Sequence, residues 1–208
     1  AFSRTLDWAL RSVLLLGIPA GLALCLLAEP LIATLFHYGE TTGRDVFMSA
    51  QSLRAYALAL IAFMLVKVLA PGFFSRQDMR TPVRIAVIAM TSNMVFNLIL
   101  IWPLAHAGLA LATALSAWMN GSLLLRGLYR EGVFRPQPGW GRFALQLLAA
   151  NAVMGALLFV FSPAAADWLD FDLLTRIGAT AALVTGGAVA YFAVLLVSGV
   201  RLRHFRMH

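Results

Sequence analysis

The chain contains six apolar segments long enough to cross a lipid bilayer, and this feature restricts its fold more than any other. They are residues 12–28, 46–70, 81–101, 108–129, 143–161 and 173–200. A helix needs about 20 mostly apolar residues to cross the hydrocarbon core, where each backbone hydrogen bond must be made within the segment. The sequence therefore predicts an all-α integral membrane protein with six transmembrane helices.

The overall composition agrees with a membrane location. Hydrophobic residues make up 61% of the chain and charged residues 12%, and the mean hydropathy is +0.84. Soluble domains are about 45–50% apolar and about 25% charged. The net charge of +7 would also suit a nucleic-acid partner, but the arginines are spread over short loops between apolar segments. We therefore predict no nucleic-acid binding.

Charged residues alternate between the loops on the two sides of the predicted bundle. All but four of the 16 Lys and Arg residues lie in residues 1–11, 71–84, 126–142 and 201–208, whereas six of the nine acids lie in the intervening loops. Cytoplasmic loops of membrane proteins carry an excess of Lys and Arg. This pattern predicts that both termini and both basic loops face the cytoplasm, which agrees with six crossings.

Short motifs predict where the helices begin and end. Pro71-Gly72 is expected to end the second span, because proline lacks a backbone donor and glycine tolerates the turn that follows a helix. Thr81-Pro82 is expected to start the third span, with Thr81 as N-cap and Pro82 in the first turn. A tight turn is predicted over 102–107, and a short interfacial helix over 30–36.

Two further features of the ends and loops are assigned structural roles. Asp7 and Arg11 are one helical turn apart and are interpreted as a solvated ion pair, a kind of contact that contributes little to stability. Trp140 follows a proline-rich basic loop and is interpreted as an interfacial anchor.

The chain carries no recognisable signature of an enzyme. It has no His-Glu-x-x-His, Gly-x-Ser-x-Gly, Cys-x-x-Cys or phosphate-binding glycine motif. Its one cysteine, Cys25, cannot form an internal disulfide, and His37 has no second ligand at metal spacing. We predict no catalytic residues, no metal site and no resident cofactor.

Polar side chains inside the apolar segments are the candidate functional residues, because they are costly in a bilayer. Lys67, the only lysine, either extends its ammonium to the interface or holds an anion such as a diphosphate in a hydrated cavity. Arg54, near the other end of the same span, has the same two interpretations. Asn93 and Asn97 share one helix face, with Thr113 on the next span, and either join helices or line a polar pathway.

Three stretches resemble the MurJ/MviN family of lipid II flippases. They read Lys67-Val-Leu-Ala-Pro-Gly-Phe-Phe-Ser-Arg-Gln-Asp-Met-Arg-Thr-Pro-Val83, Phe2-Ser-Arg-Thr-Leu-Asp-Trp8 and Phe134-Arg-Pro-Gln-Pro-Gly-Trp140. The resemblance implies part of a 14-helix MATE-like exporter fold, with this chain as spans nine to fourteen of a longer protein. Residues 1–130 would form most of the second lobe, 131–142 a cytoplasmic loop, and 143–208 two additional C-terminal helices.

The resemblance also implies a function in peptidoglycan biosynthesis. The family moves lipid II, the undecaprenyl-diphosphate-linked disaccharide pentapeptide, across the bacterial inner membrane by alternating access. The implied partners are lipid II, membrane lipids and the N-terminal spans of the same protein. Lys67 matches a cation of the family's cavity, whereas the family's essential arginines lie in earlier spans.

Some members of the family bind sodium through an Asn and an Asp one turn apart and a Thr in the next span. Asn93, Asn97 and Thr113 resemble that spacing, so coupling to a monovalent cation is an expectation. The neutral Asn97 stands where those members have a carboxylate, which hard cations prefer as a ligand.

Other functions remain open on the residues alone. One is another exporter of the same superfold, for drugs or for a different lipid-linked glycan; a drug exporter would favour acids over Lys67 in its cavity. Another is a membrane scaffold without transport, which would need no hydrated cavity beside Lys67. A membrane enzyme is the least supported, since no nucleophile or metal cluster is recognisable.

Overall fold

A computed structural model describes residues 2–37, 41–164 and 167–199. It contains seven helices in this part of the chain and no strand, which confirms the all-α fold class. They are α1 (Phe2–Leu26), α2 (Ala28–Phe36), α3 (Gly43–Phe74), α4 (Arg80–Arg130), α5 (Trp140–Phe161), α6 (Asp167–Asp170) and α7 (Leu173–Val197). Glu40 and the basic tail at 201–208, which entered the topology prediction, lie outside the described residues.

Five of these helices are long and apolar enough to cross a membrane, judged over the described residues: α1, α3, α4, α5 and α7. Large apolar side chains stand exposed on all of them, including Leu98 at 71%, Trp102 at 88% and Val197 at 90%. Exposed apolar surface on this scale is unfavourable in water and is the expected outer surface of a protein surrounded by lipid.

The 51-residue helix α4 contains two of the predicted spans. Ala105 has non-helical backbone angles, φ 46° and ψ −122°, and lies in the turn predicted over 102–107. Asn93 Nδ2 is 3.2 Å from Ser116 Oγ, although 23 residues of straight helix would extend about 34 Å. The chain therefore reverses direction at Ala105, and α4 is a helical hairpin. Its two halves and the other four apolar helices account for the six predicted spans.

The end of α3 differs from the prediction. The helix continues through Pro71-Gly72 and ends at Phe74, so this motif does not stop it. Proline removes one backbone donor but leaves the rest of the last turn intact. Glycine at position 72 serves packing instead, because a Cβ there would lie 3.1 Å from the Leu128 side chain. The chain turns at Gln77, which has a positive φ of 60°.

The start of α4 also differs from the prediction. The helix begins at Arg80, so Pro82 is in the first turn as expected, but Thr81 is not the N-cap residue. The carboxylate of Asp78 accepts hydrogen bonds from the N–H groups of Arg80 and Thr81, each at 3.0 Å. An acid at this place satisfies orphan donors and interacts favourably with the positive end of the helix.

The chain divides into two compact units. Unit 1 comprises Ala1–Ile18 and Ala55–Trp140, and unit 2 comprises Pro19–Arg54 and Gly141–His208; α1 and α3 each contribute to both. The core of unit 1 consists of buried apolar side chains from α1, α3, both halves of α4 and the loop after it: Leu6, Leu10, Leu69, Phe73, Ile85, Leu124, Leu128 and Phe134. The division at 1–130, 131–142 and 143–208, which concerns organisation in the membrane, stays a prediction.

Unit 2 packs α7 against α2 and α5. The buried face of α7 consists of Arg176, Thr180, Leu183, Gly187, Tyr191 and Leu195. A Cβ on Gly187 would lie 3.1 Å from the Leu158 side chain of α5, so glycine permits close approach at this point. A second row of small residues on α7 is not part of this buried face: Gly178, Ala182, Gly186 and Ala190. A Cβ on Gly178 would meet nothing within 4 Å.

Candidate functional site

The two halves of the α4 hairpin bring polar side chains together in unit 1. Asn97 Nδ2 donates to Asn93 Oδ1 at 3.0 Å, and Asn93 Nδ2 donates to Ser116 Oγ at 3.2 Å. Ser116 Oγ in turn donates to the Thr113 carbonyl at 3.0 Å. The side chains of Asn93 and Asn97 are therefore in one network with Ser116, which the prediction did not include. Thr113 joins this network through its backbone carbonyl and not through its side chain.

Asn97 leaves one oxygen of this network free. Its Oδ1 is buried and accepts no hydrogen bond from any described residue, a costly arrangement unless water or an ion occupies the place. The Thr113 hydroxyl donates to the Leu109 carbonyl at 3.0 Å, so its oxygen lone pairs remain available. The described residues hold no group of three His, Cys, Asp or Glu side chains suited to a metal ion. The oxygen atoms of this network that could bind a cation are amide, hydroxyl and backbone carbonyl oxygens, all of them neutral.

Lys67 lies on α3 in unit 1, and its side chain is exposed. No ion pair in the described part of the chain includes it. Both interpretations of Lys67, extension to the interface and attraction of an anion, require a free ammonium. The role of Lys67 stays a prediction.

Arg54 lies in unit 2 and already has a counter-ion. Its Nη2 is 2.7 Å from Oε1 of Glu29 on α2, and its Nε donates to the Cys25 carbonyl at 3.3 Å. The two charged side chains are 34% and 20% exposed. An anionic ligand of Arg54 would have to displace Glu29 or share the guanidinium with it.

A cavity of about 320 Å³ adjoins this ion pair. Its lining is mostly apolar: Leu26, Glu29, Pro30, Arg54, Leu158, Phe159, Ser162, Pro163, Ala164 and Trp168. An apolar pocket with one ion pair on its wall can accept an amphipathic group and orient its polar end.

Asp7 forms the centre of a buried cluster that the sequence interpretation missed. Its side chain is 5% exposed, and its Oδ2 lies 2.8 Å from Nε of Arg11. Its Oδ1 accepts hydrogen bonds from the Gln137 N–H at 3.0 Å and the Trp140 indole N–H at 2.7 Å. The interpretation of Asp7 and Arg11 as a solvated pair was therefore wrong. We call Asp7, Arg11, Gln137 and Trp140 the Asp7 cluster.

Arg11 also binds the loop after α4. Its Nη2 donates to the carbonyls of Gln137 and Pro138 at 3.3 and 3.1 Å. Its guanidinium also lies 5.1 Å from the Trp140 ring centroid, within the range of cation–π attraction. The pair is buried because the loop after α4 folds back on α1, a long-range contact that spacing along one helix cannot reveal.

Arg176 is a second missed residue, near the start of α7 in unit 2. Its side chain donates to three backbone carbonyls: Nη1 to Ala33 at 3.4 Å and His37 at 3.1 Å, and Nη2 to Leu169 at 2.8 Å. The residue is only 6% exposed. The available sequence indication was a single charge inside an apolar span, where ionisable groups are expensive.

Two loops meet at the open end of the α4 hairpin. Arg76, after α3, forms an ion pair with Glu131, after α4. Hydrogen bonds from the Thr81 side chain and from the Thr81 and Arg80 backbone hold the pKa of Asp78 below its ordinary value. All three acids of unit 1 are thus engaged within the protein, whereas Arg80, Arg84, Arg126 and Arg130 are exposed.

Relatives with established names match nearly the whole chain. A protein of Vibrio cholerae named "Probable lipid II flippase MurJ" is 45% identical over 206 residues, covering 99% of this chain and 39% of the relative. "Lipid II flippase MurJ" of Burkholderia cenocepacia is 39% identical over 207 residues, covering 99% of this chain and 40% of the relative. The chain therefore spans about two fifths of the length of these relatives.

The fold matches a solved structure of the same description. "Lipid II flippase MurJ, inward closed conformation" aligns with a TM-score of 0.72 at 22% sequence identity, over 98% of this chain and 40% of that chain. At this identity the match supports the fold alone. The sequence model of the family described as "Lipid II flippase MurJ" matches residues 1–178. Together with the 45% identical relative, this match shows that the chain belongs to the MurJ family of lipid II flippases.

Proposed function

We propose that this chain is part of a transporter that moves lipid II across the bacterial cytoplasmic membrane. The observation that carries the proposal is the 45% identity to a protein named as a flippase, over 99% of this chain. The protein is a transporter and not an enzyme. The spans that this chain does not contain would come from the N-terminal part of the same protein, since alternating access requires two bundles around a central site.

In the proposed orientation, the open end of the α4 hairpin faces the cytoplasm. The support is the clustering of exposed arginines at that end, with Arg80 and Arg84 on the first half of α4 and Arg126 and Arg130 on the second. Excess Arg on one side marks the cytoplasmic face. The loop after α4 would then be cytoplasmic, and both ends of this chain would lie on the same side.

Lys67 would attract the diphosphate of the substrate. The attraction between unlike charges increases as the local dielectric constant falls, so an exposed ammonium on an apolar helix can offset part of the cost of moving an anion past it. Lysine suits this role as a compact charge on a flexible stem. Arg54 would be a secondary anion contact, available when its bond to Glu29 opens.

The polar network of the α4 hairpin would hold a monovalent cation or a water molecule. The support is the buried Oδ1 of Asn97, which accepts no hydrogen bond from the described residues, on a side chain that is bonded to Asn93. Amide and hydroxyl oxygens are hard donors that suit such a cation. Without a carboxylate the site would bind the cation weakly, so coupling to transport would depend strongly on its concentration.

A chimeric flippase tests the proposed function. Residues 1–208 would replace the matching segment of the Vibrio cholerae relative, and the chimera would be expressed in cells depleted of their own flippase. We expect growth and normal outward movement of lipid II, because the replaced segment is 45% identical over 206 residues. A chimera that reaches the membrane at normal levels but leaves lipid II inside would contradict the proposal.

A control in the same strain uses residues 1–208 alone. We expect no growth, since the chain would lack the first bundle. A chimera that reaches the membrane and exports a different lipid-linked glycan but not lipid II would instead favour another exporter of the same superfold.

A further inference from the structure

Arg176 is buried in unit 2 without a carboxylate partner among the described residues. The ion pairs formed by those residues do not include it, and its guanidinium contacts the carbonyls of Ala33, His37 and Leu169. A desolvated cation is unfavourable unless nearby groups compensate its charge. Among the described residues, backbone carbonyl dipoles compensate it.

Two of these carbonyls belong to the C-terminal end of α2. Ala33 is in the last turn of the helix, and His37 is its C-cap residue. The last carbonyls of a helix carry partial negative charge. The Ala33 carbonyl also accepts the His37 N–H at 3.2 Å, so the guanidinium is its second donor and gains charge compensation from the end of α2. The bond to Leu169 ties the single turn α6 to the same side chain.

A second contact joins the same two helices one turn along α7. The hydroxyl oxygens of Thr34 and Thr180 lie 2.9 Å apart, and both residues are buried. Two polar contacts from α7 thus fix the nine-residue helix α2, which spans about 13 Å. Its opposite face carries the exposed side chains Leu35 and Phe36.

The fixed helix carries one half of the ion pair beside the cavity. Glu29 lies one turn before Ala33 on α2, and its carboxylate binds Arg54 at 2.7 Å. A short helix held at its C-terminal half has little freedom to move its N-terminal half. We propose that Arg176 is a positioning residue that sets the place of α2 and thereby holds Glu29 against Arg54. The relevance of this positioning to transport rests on the function proposed above for Arg54. The positioning of α2 and Glu29 by Arg176 does not depend on that function.

Hydrogen exchange tests whether Arg176 holds α2. The measurements use the full-length protein that contains this chain, with Arg176→Gln and Arg176→Lys. In Arg176→Gln we expect amides of residues 31–37 to exchange about tenfold faster or more, since charged hydrogen bonds are lost locally. Amides of α5 should be unchanged. Lysine should rescue partly, because it cannot reproduce the planar fork of donors.

Two further variants keep this test decisive. Arg44→Gln is the matched control, because Arg44 is an exposed arginine of the same unit, and it should leave exchange in α2 unchanged. Thr180→Val removes the second contact and should accelerate exchange of the same amides. It replaces Arg176→Gln in this test if that variant does not fold. Exchange in α2 that is the same in Arg176→Gln as in Arg44→Gln would overturn the proposal.

The link to Glu29 is tested with Cys25, the only cysteine of this chain. Its Sγ lies 3.7 Å from the Arg54 carbonyl, so its alkylation rate reports on the surroundings of Arg54, after removal of any cysteine outside residues 1–208. We expect Arg176→Gln and Glu29→Gln each to raise the rate several-fold, and the double variant to add nothing further. Fully additive effects would show that Arg176 does not act through Glu29. Neither readout requires transport, so failure of the proposed function would be distinguishable.

Discussion

The indole N–H of Trp140 donates a 2.7 Å hydrogen bond to the Asp7 carboxylate, which is buried although it lies in the second turn of α1. This bond joins the first helix of the chain to the start of α5. Asp7 and Arg11 thus form an ion pair in the interior of unit 1. Loss of either charge should therefore be costly, in contrast to the small effect of removing an exposed pair.

Asp7→Asn should destabilise the protein by roughly 3 kcal/mol, because Arg11 would remain buried beside Trp140 without its counter-ion. The measurement is thermal unfolding of the full-length protein in detergent. Asp170→Asn is the control, since Asp170 is an exposed acid, and it should leave the midpoint unchanged. Equal midpoints for the two variants would show that the Asp7 cluster contributes little.

Gly108→Ala should disrupt the α4 hairpin. A Cβ at this position would overlap the Leu100 carbonyl oxygen, which is backbone and cannot rotate away. We expect a loss of stability of about 3 kcal/mol or more, at the upper end for overpacking, and reduced membrane levels. Gly178→Ala is the matched control, because its Cβ would meet nothing within 4 Å. Normal levels and stability of Gly108→Ala would contradict the reversal at Ala105.

The arrangement of long helices could be predicted from the sequence because it depends on local properties. Apolar length sets the spans, and a turn between two of them was predicted over 102–107. The helix ends were less predictable. Gly72 lies within α3 and packs on Leu128, more than fifty positions away. A local helix-end motif does not contain information about such a contact.

The candidate site was only partly predictable for the same reason. Asn93 and Asn97 are one turn apart, so their contact could be expected from helix geometry. The burial of Asp7 depends on a loop 130 residues later in the chain, and the role of Arg176 depends on carbonyls of two other helices. The periodicity of residues along one segment cannot predict such long-range contacts.

The capping contribution of Asp78 should depend on pH. Its pKa is lowered in the folded protein, so the stabilisation is fully present above the ordinary Asp pKa of about 3.9. It is lost as the pH falls through the lowered folded value. We expect amides at the start of α4 to exchange faster in Asp78→Asn than in the unmodified protein at neutral pH. The difference should shrink in strong acid; a difference that grows there would contradict the assigned cap.

Asn97→Asp should strengthen monovalent cation binding in the α4 hairpin, because it adds a charged oxygen to the free carbonyl position. The measurement is the shift of the unfolding midpoint with added sodium at constant ionic strength, which controls for general salt effects. Asn97→Ala should abolish any sodium-dependent shift. If sodium stabilises neither the unmodified protein nor Asn97→Asp, the network is only a contact between the two halves of α4.

The proposed role of Lys67 is to attract a lipid-linked diphosphate along a path that this chain helps to form. The test measures the accessibility of lipid II at the outer face of cells that carry Lys67 variants of the full-length protein at matched levels. We predict that Lys67→Ala and Lys67→Gln reduce accessibility and that Lys67→Arg retains part of it, because the positive charge remains. Normal accessibility with both Ala and Gln at this position would contradict this role and leave Lys67 as an interfacial side chain.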